Sequence, residues 1–153
     1  MTRRNRWHSR IEANIVGLLK LWLTTRRPMP GAVFSGEAGC RLRRNPDTTV
    51  GIDVCFVAQE IADHDSEDTT LIDGAPILAV EILSPTDKQE EVHDKVDEYL
   101  AAGVKLVWIV DPHLRTVLVL RPDALPELFN ETQTLSGEPH LPGFAAPVVE
   151  VFA

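Results

Sequence analysis

Residues 77 to 110 read ILAVEILSPTDKQEEVHDKVDEYLAAGVKLVWIV, and this stretch decides the fold class. Apolar runs of strand length lie at its two ends, and the segment between them carries apolar residues at helical spacing: Val92, Val96, Tyr99 and Leu100. We expect a capping box of Thr86 and Gln89 to start this helix and Gly103 to end it. Strand, helix and strand in this order predict a parallel crossover, and hence an α/β or α+β fold.

The residues outside this unit predict a mixed central sheet flanked by helices. Residues 7 to 25 are expected to form an amphipathic helix whose core stripe is Trp7, Ile11, Ile15, Leu18, Leu19, Trp22 and Leu23. Two strands, 32 to 42 and 50 to 58, are expected to form a hairpin around a turn rich in Asn, Pro and Asp. The polar stretch from 59 to 73 is predicted to be an exposed loop, and residues 116 to 120 a further strand.

Length and composition indicate one soluble domain. The chain has 153 residues, of which 44% are hydrophobic and 25% charged, as in an ordinary globular protein. Cys40 and Cys55 lack the spacing of a zinc site, so we expect buried, reduced core thiols. The first residues do not form a convincing signal peptide, and no apolar run reaches transmembrane length. We therefore expect a cytoplasmic protein with no membrane partner.

Charge is distributed unevenly along the chain. The net charge is −8, yet residues 1 to 44 carry ten basic and two acidic residues, whereas residues 45 to 153 carry five basic and 21 acidic residues. This asymmetry allows the basic part to meet phosphate while the acidic part holds a metal ion. Alternatively, the basic residues solvate a terminus and the acidic run is an exposed loop. The residues in question are Arg3, Arg4, Arg6 and Arg10, and Asp63, Asp65, Glu67 and Asp68.

Two carboxylates interrupt apolar strands, Asp53 in VGIDVCFVA and Glu81 in ILAVEIL. A buried carboxylate is costly unless it is paired, hydrogen-bonded or bound to a cation. Strand alternation places Glu81 on one face with Ile77, Ala79 and Leu83, and places Asp53 on one face with Gly51, Cys55 and Val57. If the two strands are neighbours with these faces aligned, two oxygen ligands converge. Magnesium ions are commonly held by one or two carboxylates together with water and a substrate phosphate.

The chain resembles the Uma-type restriction endonucleases, a bacterial family within the PD-(D/E)XK nuclease superfamily. The resemblance covers His8 to Phe152, and four motifs carry it: VEILSPT, the Asp94–Lys95 pair followed by Tyr99, the 103 to 112 segment with Trp108, and LPGF at 141 to 144. It implies a restriction endonuclease-like fold and a metal-dependent endonuclease that uses Mg2+ or Mn2+ to hydrolyse phosphodiester bonds of DNA. A homodimer that covers an exposed sheet edge is also expected.

The resemblance also implies the site residues. Asp53 takes the place of the Asp of the PD element and Glu81 that of the acidic residue of the (D/E)XK element, both as metal ligands. Leu83 occupies the usual lysine position, so the family's helical lysine falls on Lys95. Glu37 matches an upstream acidic position and is expected to be a third carboxylate on the metal. Two departures stand out: Ile52 replaces the usual proline, and the chain starts almost at the first helix, without a preceding strand hairpin.

Each assignment has a structural alternative. Lys95 lies four residues after Glu91, a spacing that suits a surface salt bridge, and Lys88 is a weaker substitute for it. Asp53 could pair with Arg41 across the hairpin, and Glu37 could be an ordinary exposed strand acid. His8 is expected to be a solvated or capping histidine, although contact with substrate is also open.

Two other functions are compatible with these residues. The first is a catalytically inactive module that keeps the fold in order to dimerise or to bind a partner. The second is a metal-dependent phosphodiesterase that acts on nucleotides or RNA, which the same site could serve.

Overall fold

The apolar runs of the sequence become strands of a mixed sheet. The structure, a computed structural model, describes residues 5–64 and 70–153. Its elements are α1 (Arg6–Leu23), β1 (Gly31–Arg43), β2 (Thr48–Ala58), α2 (Gln59–Ala62), β3 (Ile72–Asp73), β4 (Leu78–Ile82), α3 (Gln89–Ala101), β5 (Leu106–Asp111), β6 (Thr116–Arg121), β7 (Ala124–Phe129), β8 (Thr134–Ser136), β9 (Ala145–Pro147) and α4 (Val148–Val151). Within the described residues, seven strands form one sheet in the order β3-β1-β2-β4-β5-β6-β7, and β8 pairs with β9 separately. Arg3, Arg4, Asp65, Glu67 and Asp68 lie outside the described residues.

The predicted parallel crossover is confirmed. β4 and β5 pair in parallel from Leu78 opposite Leu106 to Ile82 opposite Val110, and α3 connects them. β2 pairs antiparallel with β4, and β6 pairs antiparallel with β5, so the sheet is mixed. All five residues of β4 are buried, because packed side chains cover both faces of the sheet at its centre.

Two apolar clusters lie on opposite faces of the sheet. One joins α1 and the C-terminal segment to the sheet, with Trp22, Phe56, Trp108 and Phe144 among its members. The other joins α3 to the opposite face and includes Tyr99, the two cysteines, Ala79 and Val107. The predicted fold class, a mixed central sheet flanked by helices, is therefore confirmed.

The core stripe of α1 begins one residue later than predicted. Asn5 caps the helix by accepting a hydrogen bond from the backbone N–H of His8, and the phase set by this start turns His8, Ile11, Ile15 and Leu19 toward the sheet. Trp7 was predicted to be part of the core but is 50% exposed. His8 was expected to be solvated or capping and is instead buried, with 2% of its surface exposed.

The predicted capping box at Thr86 is wrong. Asp87 accepts a hydrogen bond from the backbone N–H of Ser84 at 2.7 Å, and the N–H of Asp87 donates back to the Ser84 carbonyl. This turn delays the helix until Gln89, and the N-cap residue Lys88 makes no side-chain capping bond. The end of the helix before Gly103 is as predicted, since Gly103 has a positive φ of 103°.

The segment predicted to be a loop contributes two short elements. α2 starts it, and β3 near its end pairs in parallel with β1, with Asp73 opposite Arg41. A two-residue strand is too short to show a periodicity, which explains why the sequence did not reveal it. Among the described residues, no helix has the length and apolarity needed to cross a membrane.

The two cysteines are free and buried, as predicted. Burial raises the pKa of Cys40 to about 11, with a further contribution from the negative charge of Asp73. Burial likewise raises the pKa of Cys55 to about 12. Both thiols therefore stay protonated at neutral pH, as is typical of core cysteines.

Candidate active site

The candidate site lies where the pairing of β2 with β4 stops. The antiparallel ladder runs from Phe56 opposite Leu78 to Val54 opposite Val80. Beyond it, the backbone N–H of Ile82 donates at 2.9 Å to the side chain of Asp53, through Oδ2. The carboxylate of Asp53, 4% exposed, thus takes the place of a backbone acceptor between two strands.

A break in the alternation of β2 directs Asp53 to this position. Ile52 and Cys55 belong to the same apolar cluster, although regular alternation would put them on opposite faces. The break lies beside a bulge in β1, where Gly36 and Glu37 have positive φ angles of 77° and 58° and the register shifts. The prediction that Asp53 shares a face with Cys55 and Val57 is therefore wrong. Asp53 instead points toward α1 and the end of β4.

Glu81 lies on the face of the sheet that α3 covers, whereas Asp53 points toward α1. Its carboxylate, 8% exposed, accepts a hydrogen bond from the Tyr99 hydroxyl on Oε1, and Lys95 Nζ lies 3.4 Å from Oε2. Lys95 and Tyr99 are four residues apart and therefore project from the same side of α3. The structure thus brings the predicted residues Glu81 and Lys95 together. Ala79 and Leu83 pack in the apolar cluster on the α3 face, the face of Glu81, as predicted, whereas Ile77 packs in the cluster on the other face.

Electrostatics at Glu81 favour a positive partner. Burial raises the pKa of the Glu81 carboxyl, and the nearby negative charge of Asp53 raises it further, while Lys95 and the hydrogen bond from Tyr99 oppose this rise. Burial and the charge of Glu81 raise the pKa of Tyr99 far above its usual range, so its hydroxyl remains a hydrogen-bond donor. An added cation near these two buried carboxylates would favour the charged form of Glu81.

His8 is the contact that sequence reasoning missed. Its Nε2 lies 3.3 Å from Asp53 Oδ2, and its Nδ1 lies 3.8 Å from Glu12 Oε2. Glu12 in turn accepts a hydrogen bond at 2.6 Å from the backbone N–H of Gly36 in the β1 bulge. A signal was present, because residues 8, 11, 15 and 19 follow the helical spacing of a core stripe, and a polar residue in such a stripe usually has a buried partner.

Glu37 occupies the bulge in β1 and is exposed, beside Gly51. Across residues 5–64 and 70–153, no group of three or more His, Cys, Asp or Glu side chains is arranged to hold a metal ion. Within these residues Asp53 and Glu81 are therefore not part of a complete metal cage, and their role as metal ligands stays a prediction. A role for Glu37 as third carboxylate stays a prediction.

Internal ion pairs absorb part of the charge asymmetry. Arg41 donates to both carboxylate oxygens of Asp73, at 3.1 and 3.0 Å, and Arg44 also contacts Asp73, while Arg43 lies 2.7 Å from Glu98. Arg41 and Arg44 hold the pKa of Asp73 well below its usual range. The basic residues of the hairpin thus neutralise acidic residues of the same chain. Arg41, proposed as an alternative partner of Asp53, forms its bidentate pair with Asp73.

Two clefts flank the carboxyl end of β4. One, of about 610 Å³, lies on the α3 side, and the other, of about 690 Å³, lies on the α1 side. Leu83 and Ser84 line both clefts, and the half-exposed Trp7 lines the second. The residues that follow Glu81 are therefore accessible from both sides of the sheet.

Comparisons with known proteins agree with this architecture. The model of the Uma2 family, described as “Putative restriction endonuclease”, matches residues 1–149. A crystal structure described as “a putative nuclease belonging to DUF820 from Anabaena variabilis” is similar, with a TM-score of 0.81 and 21% identity over 99% of this chain and 83% of that chain. None of the curated proteins matches the chain. At this identity, the structural likeness establishes the fold.

Proposed function

Since the chain belongs to the Uma2 family, described as “Putative restriction endonuclease”, we propose that it is a metal-dependent endonuclease that cleaves DNA in the cytoplasm. The family supports a nuclease function in general. The single observation that carries the finer proposal is the pair of buried carboxylates, Asp53 and Glu81, on neighbouring strands where their pairing stops. On this proposal the 153 residues act as one domain.

The donor set fits a hard divalent cation. Asp53 and Glu81 supply oxygen ligands. The negative charge of Asp53 raises the pKa of Glu81, and a bound cation would offset this repulsion. Mg2+ and Mn2+ accept one or two carboxylates, with the remaining positions filled by water and substrate phosphate. When bound, such an ion supplies Lewis acidity at the phosphate and lowers the pKa of a bound water.

The other residues of the site have distinct roles in this proposal. Lys95 lies at the mouth of the site, 49% exposed on its side chain, so its ammonium group can orient a water or steady a phosphate while it contacts Glu81 Oε2. Tyr99 is fully buried and holds Oε1 of the same carboxylate, which fixes the side-chain rotamer of Glu81. Glu37 is proposed as an outer carboxylate that acts through water.

DNA cleavage is the direct test. Purified protein is incubated with supercoiled or single-stranded DNA at low salt, with Mg2+, Mn2+ or EDTA, because phosphate contacts weaken steeply as salt rises. Asp53→Asn and Glu81→Gln keep side-chain shape and remove the charge, and Glu90→Gln is the matched control, since Glu90 is an exposed carboxylate of α3. We expect metal-dependent cutting that the first two substitutions abolish and the control retains. Equal cutting by all three variants would exclude this site.

We also propose a homodimer, for which the sheet edge at β7 is the supporting feature. Five of the six residues of β7 are exposed, among them Leu125 and Leu128. Exposed apolar edge strands are sites of chain association. Light scattering should therefore give a dimer for the wild type and a monomer for Leu128→Glu. A wild-type monomer at micromolar concentration would refute the dimer without touching the nuclease proposal.

A further inference from the structure

A line of contacts runs from the proposed metal site into α1 and on to β1. Asp53 contacts His8, His8 contacts Glu12, and Glu12 accepts a hydrogen bond from the Gly36 amide. It joins residues up to 45 positions apart and crosses three elements. The two ends of this line are groups whose positions matter for the proposed carboxylate ligands. One end is the side chain of Asp53, and the other is the bulge in β1 that carries Glu37.

His8 is held rigidly enough to fix its neighbour. Its own backbone N–H donates to the capping residue Asn5 at 2.8 Å, and the next residues of the stripe, Ile11 and Ile15, are buried against the sheet. A carboxylate accepts hydrogen bonds, so the His8 ring donates to Asp53 in the tautomer that carries its proton on Nε2. His8 Nε2 and the Ile82 N–H both approach the same oxygen of Asp53, from α1 and from β4. Two contacts from two separate elements therefore restrain the position of this oxygen.

An apolar residue would be the ordinary occupant of this position. His8 continues the stripe of Ile11, Ile15 and Leu19, and burial of a polar ring costs free energy unless the ring is hydrogen-bonded. A core stripe position is thus occupied by a side chain that contacts two carboxylates, those of Asp53 and Glu12. This arrangement matches the outer partners of metal ligands, which orient the ligand and are not themselves bound to the ion.

We propose that His8 is a positioning residue for Asp53, and that Glu12, whose carboxylate lies 3.8 Å from the His8 ring, holds the β1 bulge through the Gly36 amide. This inference rests on the proposed function, because its consequence is an Asp53 carboxylate oriented for a divalent cation. The inference adds α1 to the site, although α1 supplies none of the proposed metal ligands.

The test uses His8→Leu and His8→Gln in the full chain. His8→Leu suits the apolar stripe and removes the donor to Asp53, whereas His8→Gln places an amide N–H near the position of Nε2. Mn2+ affinity is measured without DNA, by titration calorimetry and by the electron paramagnetic resonance signal of free Mn2+. Thermal unfolding in EDTA reports stability separately.

We expect His8→Leu to weaken Mn2+ binding by about 10- to 100-fold and His8→Gln to recover most of this loss. The half-saturating metal concentration for DNA cleavage should rise by the same factor. The melting temperatures of the variants in EDTA should not parallel this loss of metal affinity. If folded His8→Leu binds Mn2+ as the wild type does, this inference is overturned while the nuclease proposal stands. If His8→Gln binds as weakly as His8→Leu, positioning through the Nε2 hydrogen bond is overturned. A wild type that binds no Mn2+ and cuts no DNA would instead refute the proposed function.

Discussion

Replacing Tyr99 with Phe removes one hydroxyl from a buried carboxylate and should destabilise the protein in a pH-dependent way. Tyr99 is fully buried and donates to Glu81, which is itself 8% exposed. A hydrogen bond to a charged group contributes about 1.5–3 kcal/mol, and one to a neutral group about 1 kcal/mol. We therefore expect Tyr99→Phe to cost about 2 kcal/mol where Glu81 is ionised and about 1 kcal/mol where it is protonated.

The direction of the pH dependence follows from the pKa of Glu81. Burial holds this pKa above its unfolded value, so the folded state binds the proton more tightly and stability falls as pH rises from the unfolded pKa through the folded one. The hydrogen bond from Tyr99 opposes this rise, and its loss raises the pKa of Glu81 further. The difference between wild type and Tyr99→Phe should thus be smallest below the unfolded pKa of Glu81 and largest above its folded pKa.

Urea unfolding in EDTA, at about pH 4 and about pH 8, measures this difference directly. At the higher pH the melting temperature should fall by about 4–8 °C for a chain of this size. Glu81→Gln provides the matched background, because a neutral amide cannot show the charged component of the bond. If Tyr99→Phe costs the same at both pH values, or the same in the Glu81→Gln background, the hydrogen bond to an ionised Glu81 is not what stabilises this site.

Three further perturbations test other parts of the structure. Lys95→Met should lower the rate of DNA cleavage by about 10²–10⁴-fold. It should change the free energy of unfolding by less than about 1 kcal/mol, since half-exposed ion pairs contribute little. A cleavage rate equal to that of wild type would show that Lys95 takes no part in the proposed chemistry. Asp73→Asn should destabilise the protein at neutral pH, because Arg41 and Arg44 hold the pKa of Asp73 below its unfolded value. The stability that Asp73 contributes is present above the unfolded pKa and is lost as pH falls through the folded one, so acid titration of the two proteins should converge. Cys40 and Cys55 should react with a thiol reagent only at the rate of unfolding, since burial raises their pKa values to about 11 and about 12; rapid labelling of the native protein would contradict their burial.

The apolar and helical periodicities of the sequence determine the frame of the molecule. The crossover from β4 through α3 to β5, the β1–β2 hairpin and the burial of Glu81 all depend on patterns that repeat within a few residues. Such patterns report which side of an element is apolar, whereas the assignment of Lys95 to the site of Glu81 came from the family resemblance. The family resemblance covers the same residues and agrees with this frame.

The tertiary structure alone decides the surroundings of Asp53. A bulge in β1 and a break in the alternation of β2 turn its side chain toward α1, and no periodicity of the sequence contains that break. His8 reaches it across 45 residues of sequence, and Arg41 reaches Asp73 across 32, so both partnerships arise from strand and helix packing. A hydrogen bond depends on distances and angles between atoms, which the fold sets only after distant segments meet. The sequence by itself therefore determines the order of the elements and most of the apolar core, whereas packing between elements determines which polar groups meet and, at Trp7 and His8, which side chain is buried.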